Sequence, residues 1–279
     1  MKQLELKINQ LSFGYRGQQV LREVSFSVRS GELMCLLGPN GVGKSTLFRC
    51  ILGGNSGYQG EILLDGRNIR SLKQRQLAQW IGYIPQSSVP VFGYSVYETV
   101  LMGTTASLGT LQNPGRIQRQ AAQEAIDRMG IAHLSGRSVA ELSGGERQLV
   151  MIARALAQKA RFLLMDEPTA NLDYGNQLRV MQMVRELARQ GYGTLISTHS
   201  PEHALQYADR VLVLKEGQVL CCGEPEQVLD APTLSRTYDV PLRVHQVQTG
   251  RRSYRFVLPD ENAQLNKYDY PYQREEEQR

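Results

Sequence analysis

The 279-residue chain predicts an α/β fold with a sheet at its core, and three observations carry that expectation. Short apolar runs of strand length alternate with segments of helical periodicity through most of the sequence. A glycine-rich turn joins one of those runs directly to a helical pattern. The hydrophobic content of 41% is enough for a buried core.

Taken in order, "LELKI" (4–8), "VSFSV" (24–28) and "LMCLLG" (33–38) read as strands. The helix "KSTLFRCIL" (44–52) follows the glycine turn, and "EILL" (61–64) and "IGYIP" (81–85) are the next strands. From about 87 to 159 the rhythm breaks: helices are expected near Val96–Met102, Arg116–Met129 and Glu146–Gln158, with no convincing strand. That is the pattern of a helical subdomain inserted into a sheet domain. Strands return in "RFLLMD" (161–166), "GTLIST" (193–198), "RVLVL" (210–214) and "QVLCC" (218–222), with a helix over Gln177–Ala188. After Pro241 the character changes; "RVHQVQTGRRSYRFVLP" (243–259) is expected to form a hairpin, and the terminal "QREEEQR" is too polar to bury anything. The expected division is a main domain over 1–240, with its helical insertion at about 87–159, and an extension over 241–279 ending in a disordered polar tail.

Composition narrows the function classes. No apolar run reaches the length of a membrane span, and the start "MKQLELKINQ" alternates polar and apolar residues instead of resembling a signal peptide, which places the chain in the cytoplasm. Cys35, Cys50, Cys221 and Cys222 have no paired CxxC spacing, so reduced thiols are expected. The formal charge of +5 invites a nucleic-acid reading. The basic residues Arg67, Arg70, Lys73 and Arg75, and Arg251, Arg252 and Arg255, form no basic-aromatic stripe, and solvated faces explain them better.

The chemistry is concentrated in "LLGPNGVGKST". Gly38, Gly43, Lys44 and Ser45 match GxxxxGK[ST] directly after a strand and at the start of a helix, which is the context of a P-loop. Backbone N–H groups of Gly38, Asn40, Gly41 and Gly43 lie where such a loop wraps phosphate oxygens, with Pro39 part of the same turn though without an N–H, and the helix adds the positive end of its dipole. Lys44 is expected to reach the β- and γ-phosphates, Ser45 to bind Mg²⁺, and Thr46 to complete the phosphate cradle. In "RFLLMDEP", four apolar residues lead into Asp166 and Glu167, so two acids emerge at the C-terminal end of a buried strand, where open α/β sheets place ligands. Asp166 is the candidate for holding Mg²⁺ and Glu167 for orienting or deprotonating the attacking water.

One stretch resists a purely local explanation. In "LSGGERQLVMIARAL", Ser143 and Glu146 form a capping-box pattern, yet Gly144 and Gly145 occupy the first turn, where each weakens a helix by up to about 1 kcal/mol relative to alanine. "LSGGERQ" matches the signature of ABC transporter ATPases, and the resemblance to that family extends over roughly residues 4–240. Further family motifs occur in order: Tyr15 in "FGYRGQQVL" resembles the A-loop aromatic, Gln86 in "YIPQ" the Q-loop glutamine, Asp173 in "ANLD" the D-loop, and His199 in "STHS" the switch histidine. Each also has a plain structural explanation when taken alone, respectively a core or surface tyrosine, a strand-end polar group, a turn residue and a satisfied histidine.

The resemblance implies a P-loop NTPase of ABC-ATPase fold, with a RecA-like mixed-sheet core, an antiparallel β subdomain and the inserted helical subdomain. It implies ATP and Mg²⁺ as ligands, with Tyr15 stacking on adenine and Gln86 contacting the metal. It also implies a head-to-tail dimer in which Ser143, Gly144 and Gly145 of one copy cover the γ-phosphate held by Lys44 of the other, and in which Asp173 crosses the interface. His199 would contact the γ-phosphate. The remaining partners implied are integral membrane permease subunits at the cytoplasmic face of the membrane and, indirectly, a substrate-binding protein; nucleic acid is not among them. Within the family the chain looks most like importers of ferric siderophores, haem, cobalamin or molybdate. An exporter ATPase and a soluble ATPase acting on nucleic acid or ribosomes are the alternatives. The segment "QSSVPVFGYSVYETVLMG" (86–103) would dock the permease through Phe92, Tyr94 and Tyr97, although a local helical core explains those aromatics almost as well.

Overall fold

The structure is a computed structural model that describes residues 3–86, 93–109, 112–250 and 252–260. Two long antiparallel strands open it, β1 (Glu5–Tyr15) and β2 (Gln18–Arg29), followed by β3 (Leu33–Leu37), α1 (Lys44–Ile51), β4 (Gln59–Leu64), β5 (Arg67–Asn68), α2 (Gln74–Ala78) and β6 (Ile81–Ile84). A helical stretch comes next with α3 (Val96–Met102), α4 (Arg116–Arg128) and α5 (Gly144–Ala157). The chain then returns to the sheet through β7 (Phe162–Asp166), α6 (Tyr174–Arg189), β8 (Gly193–Thr198), α7 (Pro201–Tyr207), β9 (Arg210–Lys215) and β10 (Gln218–Gly223). It ends with α8 (Pro225–Val228), α9 (Ala231–Tyr238) and a hairpin of β11 (Leu242–Thr249) and β12 (Arg252–Pro259).

The central six-stranded sheet runs in the order β10-β9-β3-β8-β7-β6, parallel except for the antiparallel edge strand β10. Both faces are covered, which is why β3, β7 and β8 are continuous buried runs without polar alternation. Alternate residues of one strand feed opposite faces. Leu33, Cys35 and Leu37 join the cluster formed with the helices, whereas Met34 and Leu36 join the cluster beneath the four-stranded β2-β1-β4-β5 sheet and α1. The mixed sheet, the antiparallel sheet and the helices are the three parts that the sequence resemblance leads one to expect.

The differences from expectation have local causes. Strands β1 and β2 run well beyond "LELKI" and "VSFSV" because irregularities between Ile8 and Leu11, and again near Phe13, interrupt the alternation by which strands are recognised. Helix α6 starts at Tyr174, three residues before the periodic stretch, because Asp173 caps it. Helices α7, α8 and α9 escape a periodicity argument because they are only 7, 4 and 8 residues long; proline at their first turns was their visible signal. The hairpin forms over 242–259 with Val244 pairing Val257, and it packs on α7 and α9. Among the docking aromatics, Tyr97 packs against the helical core and Tyr94 is exposed, while Phe92 lies outside the described residues, as does the tail beyond 260.

Candidate active site

The site is assembled at the C-terminal ends of β3, β7 and β8, the edge at which a parallel sheet presents its loops. After β3, the chain turns through Gly38–Gly43 into α1, whose N-cap Gly43 has φ 110°, a left-handed conformation that side chains rarely adopt. A Cβ there would also lie 2.9 Å from Leu21. Gly43 has no capping side chain, so the first N–H groups of α1 face the loop. Asn40, Gly41, Gly43, Lys44, Ser45 and Thr46, together with Gln86 and Glu167, line a cavity of about 290 Å³.

Lys44 is buried, and its Nζ donates to the carbonyl oxygens of Gly38 (2.7 Å) and Pro39 (3.1 Å). Burial pushes its pKa down, and the nearby Glu167 and Asp166 charges oppose that shift. Its Nζ is 3.5 Å from Glu167 Oε1. The other oxygen, Oε2, accepts from Gln86 Nε2 at 3.2 Å and lies 3.4 Å from His199 Nδ1. Thus Lys44, Gln86 and His199, from three separate segments, meet on one carboxylate.

That carboxylate is aimed by the backbone. Glu167 has φ 45°, in the left-handed region where a residue with a Cβ is strained by roughly 1–3 kcal/mol. The strain is held by tertiary contacts: the Glu167 N–H donates to Ser197 Oγ at 2.9 Å, and Ala170 N–H donates to the Glu167 carbonyl at 3.0 Å. Ser197 in turn donates to Asp166 Oδ1 at 2.5 Å, and both partners of this bond are buried. The pairing follows from register, since Asp166 and Ser197 are partners across β7 and β8. Ser197 therefore orients both acids, a role that motif reading missed.

Tyr15 lies at the end of β1, 40% exposed, with its ring edge-on to Phe13 and its hydroxyl accepting from Asn55 Nδ2 at 2.9 Å. That hydrogen bond lowers its phenol pKa, with Arg49 and Thr46 of α1 also beside it. The ring therefore stands next to the P-loop helix, outside the phosphate cavity.

Ser143, Gly144, Gly145 and Asp173 form a second group, and none of them lines this cavity. Ser143 and Glu146 make the full capping box: Ser143 N–H and Oγ donate to Glu146 Oε2 at 2.9 and 2.8 Å, and Glu146 N–H donates back to Ser143 Oγ. These bonds hold the Glu146 carboxyl below its ordinary range. Asp173 is exposed and caps α6, accepting from Asn176 N–H at 2.9 Å and Nδ2 at 2.6 Å, which keeps its carboxyl ionised to lower pH than usual. The two halves of the group touch within one chain. A Cβ on Gly145 would lie 2.7 Å from the Asn176 amide carbon, so a side chain there would have to displace the amide that bonds Asp173. Behind it, the buried Gln148 leaves its Nε2 without a hydrogen-bond partner.

Comparison with known proteins agrees with this geometry. The ABC transporter family model matches residues 21–170. The chain is 35% identical over 262 residues to a hemin import ATP-binding protein from Rhizobium meliloti, covering 91% of this chain and 98% of the relative. It is 32% identical to a molybdate import ATP-binding protein from Haemophilus influenzae, covering 91% and 96%. An ABC transporter solved in an inward-facing conformation superimposes with a TM-score of 0.82 at 31% identity, over 92% of this chain and 97% of that one. The chain belongs to the ABC transporter family, as an ATP-binding subunit that is an ATPase.

Proposed function

We propose that this ATPase powers import of a metal chelate or related cargo, such as a ferric siderophore, haem, cobalamin or molybdate, across the cytoplasmic membrane. The observation that carries the catalytic part is the convergence of Lys44, Gln86 and His199 on Glu167 beside the P-loop cavity. The transport part is supported by the relatives, of which one is named for hemin, itself a metal chelate, and another for molybdate. No helix among the described residues is long and apolar enough to cross a membrane, so the proposal assigns the pathway to separate integral membrane subunits, with this chain bound at their cytoplasmic face. Tyr94 and the neighbouring face of α3 are the proposed contact. The same proposal keeps 1–240 as the ATPase domain, with its helical insertion at 87–159, and 241–279 as an extension.

In this reading the γ-phosphate of ATP takes over Lys44 Nζ from the loop carbonyls, and the N–H groups at the start of α1 wrap the phosphate oxygens. Glu167, freed from Lys44, aligns the attacking water and accepts its proton, while His199 contacts the γ-phosphate and Tyr15 stacks on the adenine. Ser45 and Gln86 offer oxygens at the cavity and Asp166, buried behind its Glu167 wall with Oδ1 on Ser197, supplies a carboxylate; oxygen donors of this kind would suit Mg²⁺ with substrate phosphates completing the shell. When bound, that ion neutralises charge on the transferring phosphoryl group. Ser143, Gly144 and Gly145 act on the nucleotide of a second copy, which explains why they stand outside their own chain's cavity.

The test is purification of the full chain from its native membrane, followed by reconstitution with whatever integral membrane subunit accompanies it. A stable complex whose ATP hydrolysis drives uptake of a metal chelate is the expected result. A complex with nucleic acid and no membrane subunit would overturn the transport reading.

A further inference from the structure

The switch loop is anchored from a part of the chain that carries no recognisable motif. The Tyr238 hydroxyl, at the last turn of α9, donates to the His199 backbone carbonyl at 2.8 Å across 39 residues of sequence. Its phenol is packed against the helical core, and burial raises its pKa, so it is a donor throughout the physiological range. The end of α9 is itself fixed. Thr237 is buried and donates to the Thr233 carbonyl, while Lys215, the last residue of β9, contacts the Thr237 carbonyl at 3.4 Å and pairs with Asp239. Strand β9 lies beside β3, the strand that leads into the P-loop. On the other side of the loop, Thr198 Oγ1 accepts from Ser200 N–H and sits 3.2 Å from His203 Nδ1. The His199 imidazole is 59% exposed, so the main chain beneath it, held by Tyr238, supplies the restraint that burial of the ring does not.

We infer that Tyr238 is a positioning residue for ATP hydrolysis: by fixing the His199 carbonyl to α9, it sets where the His199 ring stands relative to Glu167, and makes the segment leading to the C-terminal hairpin part of the catalytic frame. This rests on the proposed role of His199 at the γ-phosphate.

The test compares three variants of the full chain by steady-state ATP hydrolysis. Tyr238→Phe removes one hydroxyl and keeps the packing ring; kcat is expected to fall roughly two- to tenfold, the rate equivalent of one hydrogen bond, with KM for ATP unchanged. Asp230→Ala removes the N-cap of the same helix, where Thr233 N–H donates to Asp230 Oδ1, and is expected to lower Tm at least as much while leaving kcat at the native value. His199→Ala is expected to abolish hydrolysis. If Tyr238→Phe keeps native kcat while His199→Ala is inactive, the inference about Tyr238 is wrong and the site reading stands. Equal loss of kcat in Asp230→Ala would also overturn the inference, because the effect would then be general loosening of α9. If His199→Ala hydrolyses ATP at the native rate, the site reading itself fails.

Discussion

The two groups of motif residues in this chain differ in how they are held. Lys44, Asp166 and Glu167 are buried or nearly so, and they are tied to one another, to loop carbonyls and to Ser197 on a neighbouring strand. Ser143 and Asp173 are exposed, and each is occupied with capping the first turn of its own helix. The first group is a preorganised site in one copy, where fixed dipoles and charges meet the ligand without rearranging. The second is a locally satisfied surface, stable by itself, whose proposed work begins when a phosphate from another copy competes for the same N–H groups. If the site is shared between two copies as proposed, one half of it is fixed by burial and mutual contacts and the other is held only by its helix caps.

The largest expected effect comes from the rigid half. Glu167→Gln retains the shape and the contact with Gln86 but removes the charge that faces Lys44 and the capacity to accept a proton; hydrolysis should fall by about 10²- to 10⁴-fold while ATP binding persists, as measured by fluorescent-nucleotide titration. Ser143→Arg addresses the other half. It should reduce hydrolysis at least about tenfold and leave nucleotide binding to the same chain intact, at a stability cost of about 1 kcal/mol for the lost cap. Loss of nucleotide binding in that variant would erase the proposed division between the halves.

Ser197→Ala tests the preorganisation more gently. It leaves Asp166 Oδ1 and the Glu167 N–H without their shared partner, so a destabilisation of about 1–3 kcal/mol by urea denaturation and a decline in kcat are expected together. Unchanged stability would mean that the register pairing of β7 and β8 holds the acids without the hydroxyl. The smallest effect is expected from pH. Burial lowers the pKa of His203 from 6.5, so the unfolded chain binds a proton that the folded chain refuses. Its contribution therefore makes stability decline as pH falls through about 6.5 and onward to the lowered folded value; His203→Gln should flatten that slope in denaturation series.

Legibility in the sequence follows the same division. The P-loop and "MDEP" can be read directly because phosphate chemistry demands particular residue types at contiguous positions beside a strand end. The strands β3, β7 and β8 are legible because a sheet buried on both faces leaves uninterrupted apolar runs. Ser197 and Tyr238 are not, since the first meets Asp166 only through strand register and the second meets His199 only after α9 folds back. The glycine pair stands out in the sequence for its cost to the helix, which points to a ligand. Gly145 in addition approaches the Asn176 amide closely inside the chain, which no linear spacing encodes.

The most direct measurement of the central claim is the mass in solution of Glu167→Gln with and without ATP, by light scattering during size-exclusion chromatography. A composite site predicts a monomer without nucleotide and a particle of twice the monomer mass with ATP, reverting to monomer when Ser143→Arg is added. A single copy that binds ATP fully and stays monomeric at every protein concentration tested would contradict it.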